Sequence, residues 1–138
     1  MAKAFEVHIP IYNKYIYVLV GTPKESVDAL KERYEIEDRH AETLIEHLEK
    51  HSKCSNGLFT WDEDSNTYTI WLSRVPDTIG WEGVLLHEIN HAVFRLLDEL
   101  GMEHTNASDE AYSYLSEYLY VEIMTKFEES DEESISNN

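Results

Sequence analysis

The stretch "EGVLLHEINHAVF", residues 82–94, contains His-Glu-x-x-His. Pro76, Asp77 and Thr78 punctuate the chain ahead of it and Gly101 is a natural stop behind it, so a helix is predicted from about 79 to 100. On a helix His87 and His91 are four residues apart and stand on one face, one turn from each other. That spacing lets both imidazoles reach one tetrahedral zinc ion at ~2.0–2.1 Å. Glu88 follows the first histidine and projects beside the metal, where it can act as general base toward a water whose pKa the metal has lowered to ~7. Positions 85, 86, 89, 90, 92 and 93 are all uncharged, which predicts a largely buried helix. Two histidines and a glutamate left unpaired there would cost ~1–3 kcal/mol each, a cost that a metal would relieve.

A third protein ligand must come from elsewhere, leaving the fourth position to water and substrate. The downstream segment "SDEAYSYLSEYL", residues 108–119, begins another predicted helix that continues to about Phe127. Glu110 lies in its first turn and is the leading candidate; an acid at a helix start is also explained by helix electrostatics. Asp109, with Tyr112 three residues on, is the rival, and it suits a capping role equally well. Glu117 is two turns further in. A developing oxyanion would need a donor besides zinc. Tyr112, Tyr114 and His104 are candidates, Tyr114 first because it shares a face with Glu110.

These residues carry a resemblance. His87-Glu88-Ile89-Asn90-His91 with Glu110 on a following helix resembles the gluzincins, the thermolysin-like glutamate zincins. "LLHEINHAVFRLLDELGM" with "SDEAYSYLSEYL" is similar to small HExxH proteins encoded by bacteriophages and prophages, over roughly residues 66–122. Phe94 and Leu97 break the longer metzincin pattern. In larger gluzincins an aspartate often stands four residues beyond the ligand glutamate; here Tyr114 occupies that place, and Asp98 is a possible substitute. The resemblance implies that His87, His91 and Glu110 hold Zn2+, that Glu88 activates water, and that a peptide or protein is the substrate. It also implies an edge strand ahead of the active-site helix that pairs with extended peptide, a role that falls to "YTIWL", residues 68–72.

Working outward, Phe5, Val7 and Ile9 alternate with polar residues and "YIYVLV", residues 15–20, is rich in β-formers, predicting an N-terminal hairpin. Thr22 as N-cap, Pro23 at the first helical position and Glu25 as capping-box partner start a helix with Val27, Leu30 and Tyr34 on its inner side. A second helix, about 38–51, puts Ala41, Leu44, Ile45 and Leu48 on one face. Strands are predicted at 57–61 and 67–72, joined by a polar "DEDSN" loop. Tyr68, Ile70 and Leu72 share one face of the second strand. The expected fold is α+β: a minimal zincin-like domain over 1–127, its small, mainly antiparallel sheet packed against the active-site helix and further helices. An acidic disordered tail is expected at 128–138.

The 138 residues hold 28 acidic and 11 basic side chains, a formal charge of −17, which argues against nucleic-acid and anionic-membrane binding. A lone cysteine, Cys54, rules out an internal disulfide; with no signal-peptide run and no segment of spanning length, a cytoplasmic protein is expected, in the host cell if phage-encoded. His47 and His51 are also four apart, with His40 and Cys54 nearby, and a solvated helix face accounts for that stripe. The expected activity is zinc-dependent peptide hydrolysis. The alternative is a non-enzymatic acidic phage-type protein that binds or inhibits a host protein, by nucleic-acid mimicry for example, with zinc structural or absent.

Overall fold

The computed structural model describes residues 2–63 and 66–136, with side chains through Glu129. Its order is β1 (Lys3–Ile9), β2 (Lys14–Val20), α1 (Pro23–Arg33), α2 (Asp38–Ser52), β3 (Gly57–Asp62), β4 (Thr67–Leu72), α3 (Ile79–Glu99) and α4 (Asp109–Ser136). The architecture is α+β, with four strands in one mixed sheet and four helices. Within the stretch read as one domain the chain forms two compact units, Met1–Glu88 and Ile89–Asn138, the division falling inside α3.

In the first unit the sheet order is β1-β2-β4-β3. The N-terminal hairpin pairs antiparallel with Val7 opposite Ile16, β2 runs parallel to β4 with Val18 opposite Ile70, and β3 is antiparallel to β4. This register carries the alternation of each strand across the sheet. One face presents Ala4, Leu19, Trp71 and Leu58 in a row, and α1 and α2 close over it with Val27, Leu30, Ala41 and Leu48. The Trp71 indole N–H donates to the Gly21 carbonyl at 3.0 Å, so this core residue buries no orphaned donor. The other face is apolar at its centre, where Phe5, Val7, Ile9, Ile16, Val18, Val20, Phe59, Tyr68, Ile70 and Leu72 are all buried, with Lys3 and Lys14 at its ends.

Tyr68, Ile70 and Leu72 share a face as expected, but β4 is not an edge. It pairs on one side with β2 and on the other with β3, and its Tyr68–Leu72 stretch is buried on both faces. A central strand next to a parallel neighbour reads as a continuous apolar run, which is what "YTIWL" is. The outer strands are β1 and β3. The edge-strand role assigned to 68–72 is therefore corrected: backbone groups of β4 are already committed to two neighbours.

The helix boundaries follow local chemistry. Thr22 caps α1 by accepting from the Glu25 N–H, with Pro23 in its first turn. Thr78 caps α3, its hydroxyl accepting from the Trp81 N–H at 3.3 Å. At the far end the Met102 N–H reaches the Leu97 carbonyl and the Gly101 N–H the Asp98 carbonyl, each at 2.9 Å, with Gly101 at φ 78°. That is a Schellman ending, and glycine is the residue that enters its left-handed position at least cost. α4 runs past Phe127 to Ser136, through most of the acidic stretch expected to be disordered; glutamate-rich sequence propagates a helix already nucleated at little cost. Residues 137 and 138 of that tail, and 64 and 65 of the polar loop, lie outside the described residues. Among the described residues no helix is long and apolar enough to cross a membrane.

Candidate metal centre

α3 is amphipathic rather than buried all round. Leu85, Ile89, Ala92, Val93, Leu96 and Leu97 form its buried stripe, each at 0–1% exposure. His87, Asn90, His91 and Phe94 lie on the exposed side, the His87 side chain at 68%. The expectation of a largely buried helix is corrected in this respect: the two imidazoles incur no burial cost, so that cost does not explain them. The sequence suggested otherwise because Leu86 and Phe94 are apolar yet 43% and 50% exposed, which hides the boundary between the two faces.

Glu88 is different. Its residue exposure is 6%, and among the described residues it is the one charged side chain in the buried class. Its Oε1 is 3.9 Å from His87 Nε2, so a buried carboxylate sits beside an exposed imidazole. The packing that buries it involves Gly57, the first residue of the outer strand β3. A Cβ built on Gly57 would lie 2.9 Å from Val84 Cγ1, 3.2 Å from Glu88 Cγ and 3.3 Å from Leu72 Cδ2. Glycine at 57 thus lets the α3 backbone bring Glu88 against the sheet edge. Sequence reasoning did not single out Gly57; a glycine opening a strand was its only signal.

The helix delivers His87 and His91 in register, one turn apart on the solvent side of α3. Exposed imidazoles at this spacing are suitable donors for a divalent transition ion. Glu110 and Tyr114 are both exposed, one turn apart near the start of α4, Tyr114 at 66%. Among the described residues no group of three or more His, Cys, Asp or Glu side chains is gathered to hold a metal ion. His87 and His91 are two of the donors a zinc site needs, and a third is named by the sequence reading alone.

The rival candidates have other engagements. Asp109 Oδ1 is 3.3 Å from His104 Nε2, an exposed pair within the second unit. Tyr112 is buried and its hydroxyl donates to the Met102 carbonyl at 2.9 Å. Its ring packs against those of Phe94 and His104, at 5.0 and 4.5 Å between centroids. Tyr112, His104 and Asp109 thus build the α3–α4 turn, while Glu110 and Tyr114 make no such structural bond among the described residues. Comparison of the chain with protein-family models, with curated proteins and with solved structures finds no significant match.

Proposed function

We propose that this protein is a zinc-dependent peptidase of minimal gluzincin type, with His87, His91 and Glu110 as metal ligands and Glu88 as general base. The observation that carries the reading is the contrast on α3: two imidazoles one turn apart on the exposed side, and a buried carboxylate, Glu88, between them in sequence. Glu88 combines burial with a histidine neighbour, a setting in which a carboxylate can serve as proton acceptor. Zinc at such a histidine pair supplies Lewis acidity toward water and a substrate carbonyl. Glu88 accepts the proton of the attacking water on a carboxylate oxygen and delivers it to the leaving amine. Tyr114 donates its O–H to the developing oxyanion. The substrate, an extended peptide or protein segment, adds along the outer side of β3, whose first residue touches Glu88. The resemblance to small phage and prophage HExxH proteins rests on the same residues, and the cytoplasm is the compartment proposed.

The second reading, a non-enzymatic binder of a basic or nucleic-acid-binding host protein, is favoured by the formal charge of −17. Glu88 separates the two. Zinc content and cleavage of a peptide library are measured on the wild type, His87→Ala and Glu88→Gln. Peptidase function requires zinc lost in His87→Ala but retained in Glu88→Gln, with cleavage abolished in both. Cleavage that survives Glu88→Gln, or zinc uptake indifferent to His87→Ala, refutes it.

A further inference from the structure

α2 carries a second pair of histidines in the same i, i+4 relation, on the side away from its core contacts. Ala41 and Leu48 are buried beneath the helix, while His47 is exposed and His51 half-buried. Their ring centroids are 4.6 Å apart and the planes are inclined by 58°.

That separation is informative. A metal ion ~2.0–2.1 Å from an imidazole nitrogen lies about 3.2 Å from the ring centre. Two centres 4.6 Å apart then subtend about 90° at a common ion, the angle between adjacent ligands in square-planar or octahedral coordination. The centroid separation satisfies this distance condition, and rotation about the side-chain bonds of two histidines one helical turn apart can aim a nitrogen of each at the shared ion. The acidic chain as a whole favours a cation near its surface.

We infer that His47 and His51 form a second, independent metal site that chelates one divalent transition ion of the imidazole-preferring class, nickel and copper ahead of zinc. Water fills the remaining positions. Cys54 is not a ligand: its S–H is directed to the His51 carbonyl at 3.6 Å, and no three-donor group is gathered there among the described residues. The site does not depend on the α3 histidines, and its occupancy would mislead any zinc count that ignored it.

The test uses the full chain with Ni2+ alone, by equilibrium dialysis and titration calorimetry, on a His87→Asn/His91→Asn background that removes the α3 pair. The background protein should still bind one Ni2+. His47→Asn or His51→Asn should each weaken that binding by more than about tenfold. Cys54→Ser and His40→Asn should leave it unchanged. In the wild type, substoichiometric Cu2+ should broaden the ring C–H resonances of His47 and His51, a readout that does not require any variant to fold. Nickel binding indifferent to both α2 substitutions, binding lost in Cys54→Ser, or copper broadening that spares His47 and His51 each overturns the assignment.

Discussion

Replacing Gly57 by alanine probes the contact that sets Glu88 against the sheet edge. Gly57 has no left-handed φ, so its backbone accepts alanine, and the gain from a stiffer unfolded chain is about 0.4–1 kcal/mol. Against this stands the new methyl, 2.9 Å from Val84 Cγ1 and 3.2 Å from Glu88 Cγ. Val84 is β-branched and cannot swing a distal atom away, so backbone must move, at an overpacking cost of ~1–3 kcal/mol. The net expectation is a loss of about 0.5–2 kcal/mol. Val84→Ala alone removes two methyls from a half-buried position and costs about 1 kcal/mol. In Gly57→Ala/Val84→Ala the new methyl occupies the space vacated, so the double variant should be more stable than the sum of the singles by about 1 kcal/mol. Urea unfolding of all four proteins, with m held common, gives the cycle. Gly57→Ala as stable as wild type, or strict additivity in the double variant, would refute the close approach of α3 to β3.

Two further outcomes are expected. Gly101→Ala meets no atom within 4 Å of its new Cβ, so its whole effect is the strain of an L-residue at φ 78°, a loss of about 1–2 kcal/mol in urea unfolding; an unchanged midpoint would remove the strain argument. The Tyr17 hydroxyl is pushed above its ordinary pKa by burial first, then by the Glu6 and Tyr34 charges, so the stability tied to its neutral form is intact below the unfolded value of about 10 and is lost as pH rises through the folded value. Tyr17→Phe should flatten that alkaline decline in urea midpoints measured from about pH 8 upward, and parallel curves for the two proteins would contradict it.

The parts of this fold legible in the sequence are those governed by neighbours along the chain. The β1–β2 hairpin depends on two adjacent segments and a short turn, and the Thr22–Pro23 start of α1 and the Gly101 stop of α3 on residues within a turn of one another; all stand where the pattern put them. The edge-strand reading failed because its partners are distant. "YTIWL" was legible as a strand, but its central place depends on β2, some fifty residues earlier, and on β3. The acidic stretch after Phe127 has too little apolar content to form a core, yet its backbone continues as helix because elongation needs no core. Glu110 was preferred to Asp109 from sequence alone; the structure adds that Asp109 Oδ1 lies 3.3 Å from His104 Nε2, a contact between residues five apart that helix-start patterning did not suggest.

By itself the sequence determined the spacing of His87, Glu88 and His91, because helical periodicity is local and fixes angular positions around the axis. It could not determine which of those directions is covered. Tertiary structure decided that Glu88 is buried against Gly57 while the His87 and His91 side chains stay at the surface, and that β3, not β4, is the outer strand beside that carboxylate. The reason is physical: burial and strand order are set by which faces find distant partners, and apolar residues such as Leu86 and Phe94 can stand exposed without announcing it.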